Sequence, residues 1–221
     1  MRASGRGGGR TLYDARVNHV VLVPVKAFAD AKARLATVLS PGESEALARW
    51  TAERVLAAAG ELPVYIACDS EAVAEWATAH GATVLWHPGV GLNAAVNRSV
   101  ADLRRQGVDH VVVAHGDLPR AAALAAVVIP GALTLVPDAR GDGTNVIALP
   151  LHLLFELEYG PGSFRRHLQR AVASGLPVAV RRDPMLAIDI DTPSDLTHPL
   201  VQEVLPAWLP TNRGNPTRLP R

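Results

Sequence analysis

The stretch HVVLVPVKAFADAKARLATVLSPGE, residues 19–43, decides the architecture of this chain. Its first seven residues, HVVLVPV (19–25), form a β-branched apolar run without polar alternation, which fits a strand buried on both faces of a parallel sheet. Its end, Ser40-Pro41-Gly42-Glu43, is a capping box with proline at the first helical position. A helix is therefore predicted to start near residue 41 and to run to Ala59, with Leu47, Trp50 and Val55 facing the sheet and Gly60 stopping it.

The same unit recurs outward along the chain. VYIACD (64–69) is a second strand, Ser70 caps a helix reaching about His80, ATVLW (82–86) is a third strand, and Leu92–Gln106 is a third helix. DHVVVAHGD (109–117) is the fourth and most apolar strand. Strands separated by helices imply right-handed crossovers and a parallel sheet covered on both faces, a three-layer α/β/α fold. The second half is richer in strands: LTLVPD (133–138), NVIALP (145–150), VAVRR (178–182) and LAIDID (186–191), with a helix near 163–174 and another beginning at Pro193. Some antiparallel pairing is expected there.

The 221 residues, 48% hydrophobic and 19% charged, suit one domain with a real core. No apolar run is long enough to cross a bilayer, so no membrane partner is expected. The lone Cys68 excludes an intramolecular disulfide and fits a reducing, cytoplasmic setting; on a buried strand it reads as a small core residue. The net charge of +1 hides a division. Residues 1–19 carry +3 and residues 206–221 carry +3, which leaves −5 for residues 20–205. An acidic central part argues against a nucleic-acid groove. The Gly/Arg-rich start (1–18) and the Pro/Arg-rich end (206–221) read as disordered tails around a single domain at 19–205, with Trp208 the residue that could pin the second tail.

Polar clusters fall where strands end, the place where open α/β sheets bind ligands. Lys26, Lys32 and Arg34 follow the first strand; Lys26 and Lys32 are the only lysines among 22 basic residues. They form either a polyphosphate receptor or a solvated basic turn, without the spacing of a Walker A loop. Asp117, in HGDLP after the fourth strand, is placed to hold a hard cation or to make a turn. Asp189 and Asp191 would point to one face of an extended segment and repel unless a cation lies between them. Capping of the next helix by Asp191 or Thr192 accounts for one of these aspartates but not for Asp189. The turns PDARGDGTN (137–145) and GPGS (160–163) offer Thr144, Ser163 and free N–H groups to a small anion, or make an ordinary hairpin and cap. His115 and His167 lack metal-ligand spacing, and His167 reads as a helix-surface residue.

VPVKAFADAKARL (23–35), GLNAAV (91–96), HGDLP (115–119), PDARGDGTN (137–145), GPGSFRRH (160–167) and DIDTPSDL (189–196) occur in this order. Together they resemble the phosphoenolpyruvate or 2-phospho-L-lactate guanylyltransferases of coenzyme F420 biosynthesis. The resemblance implies a Rossmann-like nucleotidyltransferase fold and transfer of GMP from GTP to a phosphocarboxylate, with release of pyrophosphate. It implies Mg²⁺ on Asp117, Asp189 and Asp191, and phosphoenolpyruvate held by Thr144, Gly160 and Ser163. Tyr159 stands where the family commonly has phenylalanine. Lys26, Lys32 and Arg34 would then grip the β- and γ-phosphates. Asn93 is a candidate for nucleotide contact or for a helix cap. Hand-over to the next F420-pathway transferase is a further expectation. The alternatives are 2-phospho-L-lactate or 3-phosphoglycerate as acceptor, and a non-catalytic nucleotide-binding regulatory domain.

Overall fold

The computed structural model describes residues 18–209, so most of both expected tails lies outside the described residues. Seven strands form one sheet: β1 (His19–Pro24), β2 (Val64–Cys68), β3 (Thr83–Trp86), β4 (His110–Ala114), β5 (Leu133–Pro137), β6 (Thr144–Pro150) and β7 (Val178–Val180). Their order is β3-β2-β1-β4-β6-β5-β7. Pairing is parallel for β3-β2-β1-β4 and for β5-β7, while β6 runs antiparallel to both β4 and β5. A single reversed strand therefore supplies the antiparallel pairing expected of the second half.

The main helices are α1 (Pro41–Ala58), α2 (Glu71–Ala79), α3 (Gly91–Arg105) and α4 (Ser163–Ala173), with a short α5 (Pro199–Gln202). The capping box at Ser40 and Glu43 forms as expected. Alternate residues of the central strands enter opposite layers. Val21, Val23, Val112, Val146 and Ala148 pack with residues of α1 and α2, whereas Val20, Leu22, Val111, Ile147 and Leu149 pack with residues of α3 and α4. Among the described residues no helix is long and apolar enough to cross a membrane.

Two expectations at the end of the chain are corrected. LAIDID is not a strand; its backbone crosses the end of the sheet, with the Ile190 N–H donating to the Asp117 carbonyl at 3.2 Å. Nor does a long helix start at Pro193, where the chain makes only a 3₁₀ turn, Asp195–Thr197, before α5. A third apolar cluster explains the path. Leu35, Leu39, Leu47, Ile188, Ile190, Val201 and Leu209 pack together, fixing the end of the basic segment and the DID segment in one place. Leu209, not Trp208, buries the start of the C-terminal tail; Trp208 is 47% exposed.

Candidate active site

The strand ends carry a contiguous groove. One cavity of about 390 Å³ is lined by Lys26, Asp69, His87 and Gly91, and a second of about 310 Å³ by Lys26, Lys32, His115, Asp117 and Asp191. Lys26 lies at the junction, exposed and in no ion pair among the described residues.

At one side of the second cavity, donor oxygens of Asp117, Asp189 and Asp191 lie within 4.8 Å of one another. Isoleucines place two of them: Ile188 and Ile190 turn into the third cluster, so the alternating Asp189 and Asp191 turn away from it. The capping alternative for Asp191 is not what forms. Asp195 accepts the backbone N–H groups of Asp191 (2.9 Å) and Thr192 (2.7 Å), which leaves the Asp191 carboxylate for the groove.

Lys32 enters this cluster. Its Nζ lies 3.1 Å from Asp117 Oδ2 and 3.4 Å from Asp191 Oδ1, and its side chain is only 7% exposed. The residue adopts φ +63°, a left-handed conformation rare for a side chain other than glycine, at the turn that aims the ammonium inward. Lys26, Lys32 and Arg34, expected together to grip the β- and γ-phosphates, thus differ in setting. Lys32 is fastened to carboxylates, while the Arg34 side chain is 73% exposed and its guanidinium reaches Asp191 only at 4.0 Å.

Burial alone would lower the pKa of Lys32, but Asp117 and Asp191 outweigh it and hold the ammonium above its ordinary value. Burial likewise opposes ionisation of Asp117, yet Lys32 and then His115 keep its carboxyl below the usual range. Asp189 has no such cation. Burial first, and then repulsion from Asp117 and Asp191, push it up to about 7, against a weak 3.5 Å hydrogen bond from Asn145. Asp117 Oδ1 is buried without a hydrogen-bond partner. Three hard oxygen donors, one orphaned and one whose ionisation is opposed first by burial and then by its neighbours, fit an oxygen-loving divalent cation.

The second half of the site is stitched from two turns. Asp138 accepts the N–H groups of Asp142 and Gly143, both at 2.9 Å; a Cβ on Gly143 would stand 2.8 Å from Asp138 Oδ2, so a larger residue there would have to displace that carboxylate. Asp142 then accepts the Gly162 N–H through its side chain and the Phe164 N–H through its carbonyl, both at 3.0 Å. The Ser163 N–H goes to the Gly160 carbonyl. The expectation that the Ser163 N–H is free for an anion is therefore corrected. Gly160, at φ +123°, takes a backbone shape that glycine tolerates.

Strict alternation from Val146 and Ala148 would turn Thr144 toward α1 and α2. A bulge in the β5–β6 register reverses this. Thr144 instead meets His167 of α4, with Oγ1 and Nδ1 3.1 Å apart, and Asn145 reaches the Leu186 carbonyl and Asp189. His167 is completely buried, which overturns its reading as a surface residue. The available signal was its place with Ser163 and Ala171 on one i, i+4, i+8 stripe of α4.

Asn93, a candidate for nucleotide contact or for a helix cap, does not cap α3. It lies in the first turn of α3 beyond the cap position, and both ends of its amide are spent on Tyr159, accepting its N–H at 2.7 Å and donating to its carbonyl at 3.1 Å. Asn93 thus anchors the loop leading into Gly160. The Tyr159 ring packs edge-on against His115 and His167, and its hydroxyl is buried with no partner among the described residues.

A mixed sheet bearing carboxylates and a basic segment at its strand ends is the architecture of nucleotidyltransferases, and solved structures agree on the fold. A Desulfovibrio desulfuricans protein described as a nucleotide-diphospho-sugar transferase superposes with TM-score 0.68 at 17% identity, covering 81% of this chain and 84% of that one. A 4-diphosphocytidyl-2C-methyl-D-erythritol synthase superposes with TM-score 0.55 at 13% identity, covering 86% and 98%. Within that class the chain belongs to the CofC-like guanylyl transferase family, whose model matches residues 19–202. Phosphoenolpyruvate guanylyltransferases of Sphaerobacter thermophilus and Rubrobacter xylanophilus are 36% and 35% identical to it, over 80% and 79% of this chain and 90% of each relative.

Proposed function

We propose that this chain transfers GMP from GTP to the phosphate of phosphoenolpyruvate, forming enolpyruvyl-diphosphoguanosine for coenzyme F420 biosynthesis. The observation that carries the reading is the meeting of Asp117, Asp189 and Asp191, the first and last of them paired with Lys32, beside a groove large enough for a nucleotide, in a chain whose relatives are named for this activity. An acceptor-phosphate oxygen attacks the α-phosphorus of GTP, the bond from that phosphorus to the β-phosphate bridging oxygen breaks, and pyrophosphate leaves. The nucleophile is already an anion, so the protein has only to position and neutralise.

Asp117, Asp189 and Asp191 would hold Mg²⁺, which when bound supplies positive charge between the two anionic reactants. Exposed Lys26 and Arg34 would take the polyphosphate, and Lys32 balances the carboxylates from within. Thr144, Gly160 and Ser163 would seat the phosphocarboxylate. The catalytic unit would be residues 19–205, acting in the cytoplasm and passing its product to the next transferase of the pathway.

The test is pyrophosphate release by purified protein with GTP and Mg²⁺, supplied in turn with phosphoenolpyruvate, 2-phospho-L-lactate and 3-phosphoglycerate, with the following transferase present as a product trap. Turnover with phosphoenolpyruvate above the other two is expected. Preference for another acceptor would reassign the substrate, and nucleotide binding without turnover on any acceptor would sink the enzyme reading.

A further inference from the structure

His167 is completely buried and lies outside the carboxylate cluster, yet both of its ring nitrogens are engaged. Nε2 is 2.9 Å from the backbone nitrogen of Glu158. That N–H can only donate, so Nε2 must accept and carries no proton. Burial first, then the nearby Arg170 and Arg166, lower the ring to about pKa 4, so it is neutral at working pH with its one proton on Nδ1. Nδ1 faces Thr144 Oγ1 at 3.1 Å and donates to it. The Thr144 hydroxyl, already accepting from the ring, has its own proton left to give. Ionised phosphate and carboxylate oxygens only accept, so a hydroxyl set in this way suits them. The same ring holds Glu158, which with Asn93 on Tyr159 fixes the approach to Gly160.

We propose that His167 is a positioning residue for the phosphocarboxylate acceptor: through one fixed tautomer it orients the Thr144 hydroxyl as a donor and holds the Gly160 turn. This rests on the reading that Thr144, Gly160 and Ser163 seat that acceptor.

Two amide replacements separate the two bonds. The glutamine amide reaches the position of Nε2 and the asparagine amide that of Nδ1, counting bonds from Cβ. His167→Gln keeps an acceptor for Glu158 and loses the donor to Thr144. It should raise the acceptor KM about tenfold, the usual worth of a hydrogen bond to a charged group, and leave kcat and the GTP KM within about twofold. His167→Asn keeps the donor to Thr144 but loses the acceptor for Glu158, so it should recover part of the acceptor KM and not all of it. Thr144→Val should raise the acceptor KM as His167→Gln does, and the double variant should be no worse than Thr144→Val alone.

If Thr144→Val leaves the acceptor KM unchanged, the acceptor-seat reading fails. If Thr144→Val raises it and His167→Gln does not, the inference about His167 fails alone. A parallel rise in both KM values would reduce His167 to a folding role and overturn it too. Should His167→Gln not fold, ¹⁵N NMR of the wild-type ring, assigned through its coupling to the Glu158 amide, decides. A proton on Nδ1 at neutral pH supports the proposal, and one on Nε2 or on both nitrogens overturns it.

Discussion

Asp189 stands between two isoleucines whose side chains enter the third apolar cluster, and its carboxyl is pressed toward Asp117 and Asp191. In the metal-free protein this raises its pKa to about 7, mainly through burial. The folded state therefore keeps a proton that the unfolded chain releases near pH 4. That stabilisation is complete below about pH 4 and is lost as pH rises through about 7, so thermal unfolding in EDTA should show a falling midpoint from pH 5 to pH 8. A cation must displace the same proton, so Mg²⁺ affinity by calorimetry should rise over this range and level off above about pH 7. Asp189→Asn should flatten both profiles and lower turnover by about a hundredfold or more, because an amide is a poor magnesium ligand. An unchanged Mg²⁺ affinity would count against the carboxylate assignment.

Among the elements, α3 and α4 hold the two turns proposed to seat the acceptor, from one layer beside the sheet. Asn93→Ala removes both bonds to the Tyr159 backbone and should cost about 1–3 kcal/mol in chemical denaturation, with a higher acceptor KM and a GTP KM changed less than about twofold. A selective rise in the GTP KM would instead restore the nucleotide-contact role. The strands β1 to β7 and α1 to α4 were legible because periodicity is local, Asp117 was legible as an ionisable group just past an apolar strand, and Asp189 and Asp191 through their alternation with isoleucines. Asn93, Asn145 and His167 were not. Their partners lie 66, 44 and 23 positions away, and a bulge in the β5–β6 register decides which way Thr144 and Asn145 point. The final strand and helix failed for a related reason. LAIDID has strand composition, but β7 already occupies the sheet edge beside β5, and the DID segment is held by the third cluster instead.

At the scale of the whole molecule, that cluster is a small second core whose task is placement. It packs the basic segment through Leu35, the DID segment through Ile188 and Ile190, and the chain beyond α5 through Leu209. Leu209→Ala should lower stability by about 2–4 kcal/mol, read as a lower denaturation midpoint. It should also weaken Mg²⁺ binding, although residue 209 is not part of the carboxylate cluster; undiminished affinity in the folded variant would show that the cluster does not govern the site. The link from Lys32 to Asp191 joins residues 159 positions apart, and that from Lys32 to Asp117 joins residues 85 apart. Loop closure of that span is entropically costly and slow, so the acidic cluster completes itself only when the DID segment docks. A chain still emerging from the ribosome, with the sheet already assembled from its earlier strands, has no cation site to load. Chemical competence is thereby deferred until the DID segment has been made and has docked.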